Sequence, residues 1–238
     1  HVADSALLEF AAERVLAPLR HAGIVPMDVQ PVHLSPPGSR RRAVLRGTRT
    51  GGEVRLGFNA RGAHRIVDLA ECPVLHPALE RLLAPLRALL APSLAEGSAL
   101  SATMVGTDHG VDLLLSNLKA PELPPIKGLV AFAAAEGLAR LSLAGATGTE
   151  VLVMGAEPVV RMGGVPVLLP PAAFLQATAD GEAALVAAVA AIVGAAAAGG
   201  KASGGKAAGG AMKVADLFSG CGTFSLPLAR MARVTAVE

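Results

Sequence analysis

The sequence predicts an α+β central domain with antiparallel strands, followed by the start of a Rossmann-like α/β domain. Two observations lead to this prediction. In the middle of the chain, short apolar segments alternate with glycine-centred turns, as they do in antiparallel hairpins. At the end, residues 214–238 follow the order strand, glycine turn, helix and strand, which is typical of a parallel α/β unit.

Residues 1–30 are predicted to form a helical segment. Leu7, Val15 and Leu19 recur at roughly helical spacing between residues 3 and 22, and Gly23 is a typical helix stop. Pro18 is expected to kink or divide this helix, because proline lacks the backbone N–H that a helix interior needs.

Residues 31–171 are predicted to form the central domain. Gly51-Gly52 is a two-residue hairpin signal, and Asp108-His109-Gly110 is the centre of a second predicted hairpin. The predicted strands cover residues 43–50, 53–60, 64–69, 99–106, 111–116, 138–143, 150–154, 159–162 and 165–168. The predicted helices cover residues 76–90 and 126–136.

Residues 172–238 are predicted to be the N-terminal part of the α/β domain. A helix over residues 180–193 leads into a low-complexity Gly/Ala segment, residues 195–210, which carries Lys201 and Lys206. Its composition predicts a disordered surface insertion, and a functional basic loop is the alternative. Strands over residues 214–218 and 234–238 then enclose the glycine turn.

Composition narrows the class of protein. The chain has 238 residues, of which 52% are hydrophobic, and much of that fraction is alanine. Tyr and Trp are absent, which removes most stacking platforms for single-stranded nucleic acid. The net charge of +2 is too small to indicate a nucleic-acid partner by itself. No basic leader opens the sequence and the most apolar run, residues 183–198, is shorter than a membrane span, so a soluble cytoplasmic protein without a membrane partner is expected.

The glycine turn indicates a nucleotide-type ligand. Gly220 and Gly222 allow the backbone to approach a ligand, and the next helix directs its free N–H groups to the same point. Glu238 lies where doubly wound folds place a carboxylate that binds a ribose. A dinucleotide fingerprint would need a third glycine where Ser225 stands. The pattern Asp216-x-x-x-Gly220-x-Gly222 with Glu238 resembles motif I of class I S-adenosylmethionine-dependent methyltransferases. Another Rossmann-like fold and a purely structural glycine turn are the alternatives.

Arginine is concentrated in one part of the central domain. Between Ser39 and Arg65 there are eight arginines and one acidic residue, Glu53. The run Arg40, Arg41 and Arg42 opens this stretch. Arginines on successive strands can line one face and bind phosphates, which predicts an RNA or phosphate surface. A solvated sheet face is the alternative.

Three further residues have ordinary structural interpretations beside their functional ones. A lone cysteine before a helix, such as Cys72, is typically a small buried hydrophobe, and a metal site would need three more ligands. The two cysteines of the chain do not suggest a disulfide framework. Phe174 is typical of a core residue, and Gln176 would by default cap the following helix.

Five motifs, in order, resemble the bacterial RNA uracil-5-methyltransferase family, in particular its iron–sulfur 23S ribosomal RNA branch. The motifs are Pro37-Gly-Ser-Arg-Arg-Arg-Ala43, Leu56-Gly-Phe-Asn-Ala-Arg-Gly-Ala-His-Arg-Ile-Val-Asp68, Cys72-Pro-Val-Leu75, Phe174-Leu-Gln176 and Asp216-Leu-Phe-Ser-Gly-Cys-Gly-Thr-Phe224. The resemblance covers nearly the whole chain. It implies a class I S-adenosylmethionine-dependent methyltransferase domain at the end of the chain.

The resemblance also implies site residues. Gln176, Phe218, Thr223 and Glu238 match residues that contact S-adenosylmethionine, and the glycine turn holds the amino-acid end of this cofactor. Cys72 matches the fourth ligand of a [4Fe–4S] cluster, whose other three cysteines are expected before the position of His1. The family often has asparagine two residues after the glutamine, where this chain has Thr178.

The implied reaction is methylation of carbon 5 of a uridine, most simply in 23S ribosomal RNA. A cysteine thiolate adds to carbon 6, and carbon 5 of the resulting enolate attacks the methylsulfonium. A carboxylate then removes the carbon 5 proton, and the cysteine is eliminated. Both groups are expected beyond Glu238, so the chain is interpreted as a fragment truncated at both ends and inactive alone. A non-catalytic RNA-binding module with a vestigial cofactor fold and a small-molecule methyltransferase remain the alternatives. No protein partner is inferred.

Overall fold

The computed structural model describes residues 2–26, 28–63, 65–118, 124–199 and 212–238. They divide into two compact units, His1–Pro36 and Pro37–Glu238. In the first unit, helix α1 spans Asp4–His21 and contains Pro18. The predicted helix is confirmed, and it continues through Pro18 without being divided. Pro18 removes one backbone donor, and only Leu19, Arg20 and His21 follow it in the helix.

The second unit is built on a seven-stranded sheet with the order β3-β2-β1-β4-β5-β6-β7. All neighbouring strands are antiparallel except β5 and β6, which are parallel. Both predicted hairpins, β1–β2 and β4–β5, are confirmed. The strands are β1 (Arg42–Thr50), β2 (Glu53–Asn59), β3 (Ile66–Asp68), β4 (Ala99–Thr107), β5 (Gly110–Ser116), β6 (Arg140–Gly145) and β7 (Gly148–Met154).

Helices α2 (Pro77–Glu80), α3 (Leu83–Leu90) and α4 (Ile126–Ala135) contribute to the main apolar core. Alternate residues of the strands, such as Leu45 and Leu113, pack in this core with helix residues such as Leu86. The sequence predicted one helix over residues 76–90, and the structure has two. Pro85 has no N–H to donate to the carbonyl of Arg81, which interrupts the helix at residues 81–82.

The Pro37–Glu238 unit has a second apolar core, which we call the hairpin cluster. It contains the buried residues Val105, Val160, Met162, Leu169, Ala173 and Leu175. Two of them lie on strand β8 (Val159–Met162), which pairs with β9 (Val165–Leu168). Arg140 and Asp112, on adjacent strands of the main sheet, form a buried bidentate ion pair, and Arg140 also donates to the Leu169 carbonyl.

The last elements form the start of an α/β arrangement. They are helix α5 (Ala179–Gly199), strand β10 (Lys213–Leu217), helix α6 (Ser225–Leu228) and strand β11 (Arg233–Val237). Strands β10 and β11 are parallel, as the sequence predicted, whereas α6 is a single turn. Residues 195–199 of the predicted insertion belong to α5, because alanine favours helix continuation. The rest of that segment, residues 200–210, lies outside the described residues.

Helix α5 is longer than the sequence predicted. Its stretch Ala179–Ala197 is long and apolar enough to cross a membrane by length and composition alone, and 6% of the stretch is buried. The expectation of a run shorter than a span was therefore wrong. A single helix of this kind is a weak indication of a membrane segment, since core helices of soluble proteins meet the same criterion.

Candidate functional site

The glycine turn, residues 218–224, connects β10 to α6. Phe218, Gly220 and Gly222 have left-handed backbones, with φ of 60°, 54° and 95°. A Cβ at Gly220 would meet nothing within 4 Å, so this side of the turn is open. A Cβ at Gly222 would lie 3.0 Å from the Leu226 side chain. Gly220 therefore leaves space for a ligand, and Gly222 lets the turn pack on its own helix.

Hydrogen bonds fix the shape of the turn. The N–H of Gly222 donates to the Ser219 carbonyl at 2.9 Å, and the N–H of Ser219 donates to the Val237 carbonyl at 3.1 Å. The Ser225 hydroxyl donates to the Asp216 carboxylate. Asp216 thus binds the first residue of α6, which gives the acidic residue of the predicted motif a structural role. The turn is held in place before any ligand binds.

Glu238, the carboxylate expected to bind a ribose, lies beside the turn. Its Oε2 accepts a hydrogen bond from the N–H of Gly220 at 2.6 Å. The Phe218 side chain is 92% exposed, although a left-handed backbone is costly for a residue with a Cβ. A strained backbone conformation of this kind, next to an open turn, is typical of a binding site.

Cys221 is the titratable residue within the glycine turn itself. Its side chain packs partly against the hairpin cluster. Burial, and then the negative charge of Glu238, raises the pKa of the Cys221 thiol above its ordinary range. The thiol stays protonated near neutral pH, which argues against Cys221 as a nucleophile.

Thr223 lines a cavity of about 300 Å³, which we call the α5 cavity. Its hydroxyl lies 4.0 Å from the Met162 sulfur. The other lining residues are Arg41, Arg161, Gly163, Ala179, Glu182, Ala183, Val186 and Ala187. Arg41 and Glu182 are the charged pair of this cavity, with 2.7 Å between Nη2 and Oε2. The cavity therefore joins the end of the glycine turn to the first turns of α5.

Gln176 lies just before α5 and is half-buried. Its backbone carbonyl accepts a long hydrogen bond from Arg41 Nε at 3.5 Å. The cap of α5 comes from Thr178 instead, whose hydroxyl accepts from the N–H of Gly181 at 3.1 Å. The default interpretation of Gln176 as the helix cap was wrong, since Thr178 is the residue in N-cap position.

The predicted arginine surface divides into two kinds of residue. Arg40 is exposed, while Arg41 and Arg42 are half-buried and contact the segment of residues 173–182. Arg49 also turns inward and donates to the carbonyls of Ala91 and Leu94. The exposed arginines of this stretch are Arg40, Arg46, Arg55, Arg61 and Arg65. Arg46 also donates to the buried Ser101 hydroxyl through Nη1, so part of its guanidinium is already bonded. The other four are the candidates for phosphate contacts.

Cys72 is buried in the main apolar core, 7% exposed, and its N–H donates to Glu80 Oε1 at 2.7 Å. This placement fits the interpretation of a small buried hydrophobe. Within the described ranges, no group of three His, Cys, Asp or Glu residues could hold a metal ion. The described residues therefore do not form a cluster site by themselves.

Sequence reasoning missed Glu182, Met162 and Arg230. Glu182 lies in the first turn of α5, where an acidic residue ordinarily reflects only the helix dipole. Arg230 donates to the carbonyl of Gly163 in the β8–β9 turn, and a Cβ at Gly163 would lie 2.9 Å from Pro227. These contacts join residues far apart in sequence, so no local sequence pattern predicts them.

Similar proteins match the chain over most of its length. An uncharacterized RNA methyltransferase of Zymomonas mobilis is 38% identical over 229 residues, which cover 96% of this chain and 54% of that protein. One of Rhizobium meliloti is 36% identical over 238 residues, which cover 100% and 52%. A 23S rRNA (uracil(1939)-C(5))-methyltransferase of Aeromonas salmonicida is 30% identical over 198 residues, which cover 83% and 42%. The chain spans about half the length of the curated relatives it matches.

A solved structure shares the fold. It is a tRNA (uracil-54, C5)-methyltransferase of Pyrococcus abyssi in complex with S-adenosyl-L-homocysteine, with a TM-score of 0.63 and 17% identity. The match covers 99% of this chain and 57% of that chain. No protein-family model matches the sequence. The structural likeness confirms the predicted fold class.

Proposed function

Because the chain belongs to the RNA uracil-5-methyltransferase family, we propose that the full-length protein methylates carbon 5 of a uridine in 23S ribosomal RNA, with S-adenosylmethionine as the methyl donor. The observation that carries this proposal is the glycine turn with Glu238 beside it. The 23S ribosomal RNA substrate is supported by the named activity of the Aeromonas salmonicida relative.

The residues of the turn fit the cofactor. The open side of Gly220 can receive the amino-acid end of S-adenosylmethionine, and the Glu238 carboxylate can accept hydrogen bonds from the ribose hydroxyls. The exposed ring of Phe218 lies at the same turn and offers an apolar surface. Thr223 and Gln176 remain the other proposed contacts. When bound, the cofactor supplies an electrophilic methyl group.

We assign this chain the binding and orientation of S-adenosylmethionine and RNA. The thiolate attack on carbon 6 needs another cysteine. Cys72 is buried in the core, and the Cys221 thiol has a raised pKa. Both are poor nucleophiles for carbon 6 of uracil. We therefore assign the nucleophile and the base to other parts of the full-length protein, as the resemblance implies.

RNA is the proposed macromolecular partner, and the cytoplasm is the proposed location. The exposed arginines at residues 40, 55, 61 and 65 offer charge for phosphate contacts. Arg55 lies on strand β2, next to β1. These contacts would hold the RNA without reading its sequence.

A [4Fe–4S] cluster is a further proposal for the full-length protein. Cys72 would be one ligand, and the other three would have to come from outside this chain, since Cys221 belongs to the glycine turn. Iron and acid-labile sulfide analysis of anaerobically purified full-length protein tests this. Four iron atoms per molecule, lost in Cys72→Ser, is the expected result. Iron-free protein with full activity would contradict it.

The function is tested by methylation in vitro. Full-length protein, unmethylated 23S ribosomal RNA and S-adenosylmethionine are incubated, and the RNA is digested and examined by mass spectrometry for 5-methyluridine. One new 5-methyluridine per 23S ribosomal RNA is expected. Methylation of transfer RNA but not of 23S ribosomal RNA would show that transfer RNA is the substrate. RNA binding without any S-adenosylmethionine binding would favour a non-catalytic module.

A further inference from the structure

We infer that Arg41 and Glu182 form a positioning pair for the cofactor site, and that Arg41 is not an RNA contact. The inference rests on the proposed function. The pair joins the start of strand β1 to the first turn of α5, across 141 residues of sequence. It would hold the segment that carries Gln176 and one wall of the α5 cavity beside Thr223.

The burial of the pair is the first argument. The side chains of Arg41 and Glu182 are 15% and 9% exposed. A phosphate that bound the Arg41 guanidinium would have to displace a carboxylate that already contacts its Nη2 atom. Arg40, the preceding residue, has an exposed side chain whose Nε bonds only the carbonyl of Arg42 among the described contacts. Arg40 is therefore the better candidate for RNA.

The neighbouring contacts are the second argument, because they all fall on one segment. The N–H of Arg41 donates to the Ala177 carbonyl at 2.8 Å, and Arg41 Nε reaches the Gln176 carbonyl at 3.5 Å. The Arg42 guanidinium lies 5.4 Å from the centre of the Phe174 ring. Residue 40 also forms an antiparallel bridge with residue 178. The arginine run thus fixes the Phe174-Leu-Gln176 motif from residue 173 to residue 178.

The α5 cavity is the third argument. Arg41, Glu182 and Thr223 all line it, and Thr223 belongs to the glycine turn. A change in the ion pair would therefore alter a cavity that Thr223, one of the proposed cofactor contacts, also lines. Displacement of Gln176 and α5 should weaken cofactor binding while leaving the exposed arginines in place.

The test compares two affinities in full-length variants. The variants are Arg41→Gln, Glu182→Gln, Arg41→Lys and the exchanged pair Arg41→Glu with Glu182→Arg, and Arg40→Gln is the matched control. Calorimetry gives the affinity for S-adenosylhomocysteine, and a gel-shift titration gives the affinity for a 23S ribosomal RNA fragment. Thermal melting is followed in parallel.

Arg41→Gln and Glu182→Gln should each weaken S-adenosylhomocysteine binding by about tenfold, because an uncompensated buried charge disturbs the segment. The exchanged pair and Arg41→Lys should recover much of this loss. RNA affinity should stay within about twofold in all of them. Arg40→Gln should show the opposite pattern, with weaker RNA binding at unchanged cofactor affinity.

Two results would overturn the inference. One is a loss of RNA affinity in Arg41→Gln with unchanged cofactor affinity. The other is weakened cofactor binding that neither the exchanged pair nor Arg41→Lys recovers, although both variants melt like the parent protein. A parent protein that binds no S-adenosylhomocysteine would refute the proposed function itself, and the inference with it. Failure of the proposed function shows in the parent protein, whereas failure of the inference shows only in the variants. The two failures can therefore be told apart.

Discussion

At the scale of single residues, Gly220 is where the sequence pattern and the geometry agree most closely. Its left-handed backbone, its open side and its N–H bond to Glu238 all lie at one point. The pattern could predict a glycine turn here because glycine spacing is a local signal, but it did not predict the hydrogen bond from Gly220 to Glu238. It could not predict Glu182, because an acid in a first helical turn has an ordinary explanation in the helix dipole.

Gly220→Ala should lower both stability and cofactor affinity. A Cβ at φ of 54° costs about 1–2 kcal/mol, and it also fills the space offered to the ligand. Thermal melting and calorimetry measure the two effects in the full-length protein. Gly128→Ala is the matched control, since Gly128 lies in α4 with open space around it and should gain up to about 1 kcal/mol. Unchanged cofactor affinity in Gly220→Ala would contradict the assignment of the open side.

Asp68 gives a prediction for the dependence of stability on pH. Burial alone would raise the pKa of its carboxyl, but hydrogen bonds from the Leu56 N–H and from Arg87, with the charge of Arg87, hold it below the usual 3.8. The folded pKa is depressed, so the stabilisation is present above pH 3.8 and is lost as the pH falls through the folded pKa.

The Asp68→Asn variant should therefore melt below the parent protein at pH 7, and the difference should shrink below pH 3.8. The side chain of Asp68 is 46% exposed, so solvent limits the effect to under about 1 kcal/mol. Melting curves across a pH series measure it. A difference between the two proteins that stays constant down to pH 2 would exclude this account, since about pH 2 lies below the range of ordinary carboxyl titration.

At the scale of elements, hairpins were predicted well and long-range pairings were not. Gly51-Gly52 defines its hairpin locally, because two glycines suit the left-handed turn between adjacent strands. The parallel pairing of β5 with β6 runs through α4 and depends on packing, which periodicity does not reveal. The break between α2 and α3 could have been predicted from Pro85. The length of α6 could not, because its packing involves the distant Gly163.

The Asp112–Arg140 pair should be a strong structural contact between β5, β6 and the segment before α5. The side chains of Asp112 and Arg140 are 2% and 4% exposed, and Arg140 also binds the Leu169 carbonyl. Arg140→Met alone should cost about 3–5 kcal/mol, because it leaves a buried carboxylate unpaired. Denaturant unfolding of the full-length protein measures this.

A surface pair provides the control for that measurement. Arg20 and Glu13, on α1, are 56% and 58% exposed, so Arg20→Met should change stability by less than about 1 kcal/mol. The double variant Asp112→Leu with Arg140→Met should recover part of the loss, since no charge remains buried. Equal losses of unfolding free energy in Arg140→Met and Arg20→Met would show that the buried pair stabilises the fold no more than the surface pair does.

At the scale of the whole molecule, the order of the parts was predictable and the contacts between them were not. The sequence placed a mostly antiparallel domain before an α/β unit, and the structure has this order. It treated the arginine run as an RNA or phosphate surface, with a solvated sheet face as the alternative. In the structure Arg41 and Arg42 contact the Phe174-Leu-Gln176 region, because side chains 131 to 141 residues apart meet in the fold.

The purified chain of 238 residues should not methylate uracil. Its two cysteines are buried or have a raised pKa, so neither supplies a thiolate for carbon 6. Mass spectrometry of RNA incubated with the chain and S-adenosylmethionine checks this against the full-length protein. Formation of 5-methyluridine by the short chain, abolished in Cys221→Ser, would assign Cys221 the nucleophilic role that its surroundings argue against.

The central claim is that the glycine turn and Glu238 bind S-adenosylmethionine, and calorimetry with S-adenosylhomocysteine tests it most directly. The full-length protein should bind one molecule. Glu238→Ala should weaken this binding by about tenfold, the factor expected when a hydrogen bond to a charged group is lost. Binding that is absent in the parent protein, or unchanged in both Glu238→Ala and Gly220→Ala, would contradict the claim.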